Sequence, residues 1–223
     1  FDLTEMLRGN VITHKVMQSV VGKLNHAAGL LVVLRPFMET LWAALNKPWA
    51  GHPGCISRKQ VLPALTWFHA FFTQEGAHLE RFFSLAAFKR EGTRVKIGTD
   101  ASPWGLGGWI SVNDKIIEYF ACPVTQADVE RYGHAIGSAN GQQVWECLAI
   151  LVAVDMWQRF WSDSRVTLEP DDESTILQVT GDNVTALTML VKMRPNGPKM
   201  AIIARELALR LAKQSFPPDA LHT

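Results

Sequence analysis

The sequence predicts an α/β protein in which an N-terminal all-helical unit precedes a mixed β-sheet flanked by helices. Three observations carry that prediction. Apolar residues recur at helical spacing up to about residue 90. The period then changes to strand-like alternation just after Glu91-Gly92. Finally, two apolar strands far apart in the chain each end at an aspartate, Asp100 and Asp182. The expected domains are a helical unit over residues 1–90 and a sheet-bearing domain over 91–223.

In the helical unit, Val16, Val20, Leu24 and Ala28 recur every fourth position within the stretch Thr13 to Leu45, the stripe of an amphipathic helix. A second helix is expected from Pro36 to Leu45. The proline- and glycine-dense Asn46-Lys-Pro-Trp-Ala-Gly-His-Pro-Gly54 reads as a loop. Two further helices are expected, Arg58 to Thr73 on Val61, Leu65, Phe68 and Phe72, and Glu75 to Phe88 on Leu79, Phe82, Phe83 and Ala86.

In the second unit, Val95, Ile97 and Thr99 alternate with Lys96 and Gly98 and stop at Asp100. Strands are expected over Gly107 to Val112 and Ile116 to Ala121, joined by a hairpin turn at Asn113-Asp114-Lys115. A polar loop from Pro123 to Gly141 leads into an apolar helix from Gln142 to Trp161. A strand over Thr175 to Thr180 is followed by a helix from Asn183 to Lys192, capped by Asp182 or Asn183. After the Pro195-Asn-Gly-Pro198 break a last helix runs from Lys199 to Lys213, and Ala220 to Thr223 begins a further strand. The order β-β-β-α-β-α-α-(β) implies a mixed sheet in which the strand leading to Asp182 lies parallel to the one ending at Asp100.

Composition narrows the function classes. The 223 residues are 48% apolar, enough for a sizeable core, and 22 basic against 21 acidic residues leave a net charge of +1, with no overall signature of nucleic-acid binding. Cys55, Cys122 and Cys147 are scattered without zinc spacing or a disulfide framework. The longest apolar runs, Ala27 to Leu34 and Leu148 to Val154, fall short of a membrane span of roughly 18 to 20 residues. Opening at Phe1 and closing at Thr223, the chain is expected to be a piece of a longer polypeptide.

The chemistry concentrates on three acids. Ligand sites in open α/β sheets form at the carboxyl ends of parallel strands, so neighbouring strands bring Asp100 and Asp182 together. Glu146 lies on an otherwise apolar helix, on the face of Ala149, Ile150 and Ala153, and so is directed at the sheet. Each acid alone has an ordinary reading, a turn or cap for the aspartates and a half-exposed position for the glutamate. Three converging carboxylates instead need compensation, which hard divalent cations such as magnesium or manganese supply. Such a cluster suits two-metal phosphoryl transfer.

The string Thr99-Asp-Ala-Ser-Pro-Trp-Gly-Leu-Gly-Gly-Trp109, the helix start Gln142-Gln-Val-Trp-Glu146 and Thr180-Gly-Asp-Asn-Val-Thr-Ala-Leu187 resemble the first three acidic motifs of the ribonuclease H domain in retroelement reverse transcriptases of the DIRS-like and gypsy-like kind. Upstream, Val20-Val-Gly-Lys-Leu-Asn-His-Ala-Ala28 with Arg35-Pro-Phe37 is similar to the thumb and connection segment that follows the palm in those polymerases. The resemblance implies a ribonuclease H-like sheet and hydrolysis of the RNA strand of RNA–DNA hybrids. It implies two magnesium ions, or manganese, on Asp100, Glu146 and Asp182. It further implies an upstream polymerase palm as partner within one polyprotein, and a cytoplasmic or nuclear setting. The family's fourth metal-binding aspartate falls after the strand beginning at Ala220, outside this chain, so the domain is expected to be truncated.

Candidate nucleic-acid contacts are Ser102, Trp104, Asn183, Lys192, Arg194 and Lys199. Trp104 and Trp109 suit stacking or core packing, and the basic bias of the last helices suits phosphate tracking or a solvated face. Asp171-Asp172-Glu173 reads as a solvated turn. His26, His134 and His222 lack ligand spacing, and Gly105, Gly107 and Gly108 lack a following Walker-type lysine. Two rival readings remain: a ribonuclease H-like module that binds nucleic acid or a partner without cleaving, and another polynucleotidyl transferase of the same fold.

Overall fold

The computed structural model describes residues 3–47, 50, 52–73, 89, 91–162, 175–213 and 221–222. By its internal contacts the chain divides into two compact units, Phe1–Arg81 with Leu211–Ser215, and Phe82–Arg210 with Phe216–Thr223.

The first unit is built from helices α1 (Leu3–Arg8), α2 (His14–Leu30), α3 (Arg35–Asn46) and α4 (Arg58–Phe72), with short strands β1 (Val11–Thr13) and β2 (Cys55–Ser57). Helix α2 starts where the Thr13 side chain accepts a hydrogen bond from the Val16 amide at 3.3 Å. Its buried stripe is Met17, Val20, Val21, Leu24 and Ala28. Val16, expected on that stripe, is 46% exposed, because the 3.6-residue period carries the buried face from Val20 back to Met17. Phe37 of α3 stacks on Trp67 of α4 at 3.9 Å between ring centroids. The unit is not wholly helical: β1 and β2 pair antiparallel through Val11↔Ser57, Ile12↔Ile56 and Thr13↔Cys55. Three residues are too few for alternation to announce a strand. The helix expected over 75–88 lies outside the described residues, as does the Asp171-Asp172-Glu173 stretch.

The second unit is a five-stranded mixed sheet. It comprises β3 (Thr93–Ala101), β4 (Gly105–Val112), β5 (Lys115–Pro123), β6 (Thr175–Thr180) and β7 (Leu221–His222), in the order β5-β4-β3-β6-β7. The pairs β5-β4 and β4-β3 are antiparallel, while β6 runs parallel to β3 and β7 parallel to β6. This is the mixed sheet of a ribonuclease H-like fold, flanked by helices; those of the unit are α5 (Gln126–Tyr132), α6 (Gln142–Trp157), α7 (Arg159–Ser162), α8 (Val184–Lys192) and α9 (Pro198–Lys213) as far as Arg210.

The β4–β5 hairpin turns on Asn113 and Asp114 alone, both left-handed at φ 48° and 66°, because a two-residue turn of that hand matches the strand twist. Helix α6 is apolar on nearly every face. It packs on β3, β4 and α8, closing a core of Val95, Ile97, Ile110, Leu177 and Val179 beneath Trp145, Ile150, Ala153 and Trp157. It ends at Trp157, four residues before the expected Trp161. There Glu118 of β5 accepts hydrogen bonds from the Trp157 indole at 2.9 Å and from the Arg159 guanidinium, and the chain breaks into the separate turn α7.

The expected loop between Pro123 and Gly141 contains α5. Its start is a capping box, with Thr125 Oγ1 accepting from the Asp128 amide at 3.3 Å and Asp128 Oδ2 accepting from the Thr125 amide at 2.8 Å. Gly133 ends it at φ 70°.

Candidate metal centre

The register Gly98↔Thr180 between β3 and β6 places Asp100 and Asp182, each two residues further on, at the same end of adjacent parallel strands. Gly181 makes the close passage possible: a Cβ there would sit 3.3 Å from the Thr99 carbonyl oxygen. The α8 cap falls to Asn183, whose side chain accepts from the Ala186 amide at 3.1 Å. Asp182 is thereby released from capping.

Glu146 reaches the same point from the second turn of α6. It is only 3% exposed, and its Oε1 accepts from the Ala101 amide at 3.3 Å and from the Gln142 side-chain amide at 2.9 Å. Ligand oxygens of Asp100, Glu146 and Asp182 all lie within 4.8 Å of one another, with both aspartates exposed and Glu146 buried. Among the described residues this is the one cluster of three or more side chains able to hold a metal.

Burial and the neighbouring acids set the state of Glu146. Desolvation first, and then the charges of Asp182 and Asp100, push the Glu146 carboxyl up to about 6 against the opposing Gln142 and Ala101 hydrogen bonds. Cys147 beside it is no thiolate ligand, because burial and the Glu146 charge push its thiol up to about 12. The donor set fits magnesium or manganese: three hard oxygens, two of them open to water, on a spacing comparable with the roughly 4 Å that separates oxygens across one such ion.

Asp100 and Asp182 stand at the edge of a groove of about 600 Å³ on the sheet face away from α6. Trp109 lies in this groove over Gly98, where a Cβ would meet the indole Cε2 at 2.3 Å, so glycine is required there. Lys96 Nζ sits 5.7 Å from the Trp109 ring centroid, and the cross-strand neighbour Tyr119 is 80% exposed.

The candidate nucleic-acid residues divide by position. Ser102 Oγ accepts from the Trp104 and Gly105 amides at 3.3 and 3.1 Å, so it builds the β3–β4 turn. Trp104, 63% exposed, rises from that turn against Gly137. Asn183 is engaged as the α8 cap. Lys192 and Arg194 are exposed at the end of α8 away from Asp182, a helix about 13 Å long. Lys199 lies in the first turn of α9 with its ammonium beside Gly133. Sequence reasoning assigned no role to Gln142, although its position four residues before Glu146 puts both on one helix face.

No protein-family model matches the chain, and no curated protein does. Among solved structures the chain is similar to a foamy viral protease-reverse transcriptase in complex with double-stranded DNA. That likeness has 13% identity and a TM-score of 0.30, over 90% of this chain and 34% of the other. The chain thus spans about a third of that protein's length. No cysteine of the chain is paired, and among the described residues no helix is long and apolar enough to cross a membrane.

Proposed function

We propose that the second unit is a divalent-cation-dependent ribonuclease H-type nuclease that hydrolyses the RNA strand of RNA–DNA hybrids, as part of a retroelement reverse transcriptase. The observation that carries this reading is the meeting of Asp100, Glu146 and Asp182 at one end of the β3–β6 pair, on the sequence motifs that resemble the family's acidic motifs. In the same reading residues 91–223 form the nuclease domain and residues 1–90 a thumb or connection segment next to a polymerase palm.

Magnesium or manganese, when bound, supplies an activated water and stabilises the leaving oxygen of the phosphodiester. The protein's own work is positioning. Strands β3 and β6 hold the two exposed aspartates in register, and α6 holds Glu146 rigid in a dry position, where its charge is worth most to a cation. The groove beside them, lined by Trp109 and Tyr119, takes the nucleic acid, with Trp104 of the β3–β4 turn, Lys192, Arg194 and Lys199 as contacts outside it.

The test is cleavage of a labelled RNA–DNA hybrid by the full-length protein in magnesium, beside Asp100→Asn. The expected result is cleavage of the RNA strand by the wild type and a loss of at least a hundredfold in the variant. Hybrid binding without cleavage would favour the non-catalytic module, and preference for duplex DNA would favour another polynucleotidyl transferase.

A further inference from the structure

Gln142 occupies the first turn of α6 and makes two hydrogen bonds through one nitrogen. Its Nε2 donates to Glu146 Oε1 at 2.9 Å and to the carbonyl oxygen of Ala101. The chemistry fixes the orientation of the amide, since both partners are acceptors and only the nitrogen end carries hydrogens. Ala101 also returns a bond, its own amide donating to the same Glu146 Oε1 at 3.3 Å. Ala101, Gln142 and Glu146 therefore close a ring of hydrogen bonds that links the residue after Asp100 to the helix carrying Glu146.

The ring treats the two oxygens of Glu146 differently. A carboxylate oxygen offers about two lone-pair directions, and both of those on Oε1 are taken by N–H donors. The hydrogen bonds given to Glu146 fall on Oε1, which leaves the lone pairs of Oε2 as those open to a cation at the cluster. A glutamate side chain has three rotatable bonds, and holding it in one rotamer removes an entropy cost that cation binding would otherwise carry.

We propose that Gln142 is a positioning residue, which locks Glu146 through Oε1 so that Oε2 is presented as the ligand oxygen to a divalent cation. This rests on the metal-dependent reading of the acidic cluster. It adds the residue that orders the cluster and the atom that does the binding. Groups of this kind, which hold a ligand rather than bind the metal, usually contribute ten- to a hundredfold to metal affinity.

The experiment is calorimetric titration of manganese into the 223-residue chain. The variants are Gln142→Met, Glu146→Gln, their combination and Asp100→Asn, with the unfolding temperature of each measured free of metal. Gln142→Met keeps the length and helix preference of the side chain and removes its donors. The expected result is at least a tenfold loss of manganese affinity in Gln142→Met, and no further loss when it is added to Glu146→Gln, because both act through one carboxylate. Wild-type affinity in Gln142→Met, or a loss of equal size in the Glu146→Gln background, overturns the positioning role while leaving the metal site standing. Equal manganese binding by the wild type and Asp100→Asn overturns the metal site and this proposal with it. If Gln142→Met fails to fold, Gln142→Asn replaces it, keeping an amide in the first turn but withdrawing its donors by one methylene.

Discussion

Glu146 ionises near pH 6 rather than near its ordinary value of 4.5, chiefly because folding takes it out of water. The folded state consequently holds more protons than the unfolded state between those two values, and stability falls as pH rises through that window. Glu146→Gln removes the titrating group while its amide oxygen still accepts from Ala101 and Gln142. The variant should gain about 1 kcal/mol over the metal-free wild type at pH 7, a gain that vanishes towards pH 4.5 and is read by urea unfolding at several pH values. The same residue should reverse its effect with metal present: saturating magnesium stabilises the wild type but not Glu146→Gln. The three acids were legible in the sequence because two ended apolar strands and the third interrupted an apolar helix. Gln142 was not, since its role depends on facing Ala101, a neighbour 41 positions away that only the folded chain supplies.

Local signals explain which elements could be read. The strand β3 combines length with alternation and the helix α6 is a long apolar run, whereas β1 and β2 have three residues each and α5 is polar on most of its surface. The Thr125-to-Asp128 box and Gly133 were the available sign of α5, outweighed by the polar composition around them. The choice of cap for α8 was also beyond the sequence, because Asp182 and Asn183 are both good capping residues. Since Asn183 is the cap, Asn183→Ala should cost about 1 kcal/mol in urea unfolding, and should weaken manganese binding by loosening the start of α8 next to Asp182. In the hairpin, Asp114 holds φ 66° as a non-glycine residue, so Asp114→Gly should raise stability by up to about 1 kcal/mol without altering cation affinity.

The strand order of the second unit follows from the sequence because hairpins pair neighbouring strands and the long connection from β5 to β6 returns beside β3. That topology brings residues 100, 146 and 182 to one point, and a cation bound there links three separate stretches of chain. Binding to the native state alone stabilises by about 2.7 kcal/mol at a concentration one hundred times Kd. Hydrogen exchange in magnesium should therefore slow at the ends of β3 and β6 and in the first turns of α6, and stay unchanged in α2, α3 and α4. Uniform slowing in both units, or none, would argue against a site at this place. The most direct measurement is a crystal structure of the chain grown in manganese, with data collected to record the metal's anomalous scattering. The expected result is an anomalous peak bounded by Asp100, Glu146 and Asp182, with Glu146 Oε2 the nearer oxygen of that side chain to the ion. Ordered density for all three side chains with no peak between them, at a manganese concentration that fills other sites in the crystal, would contradict it.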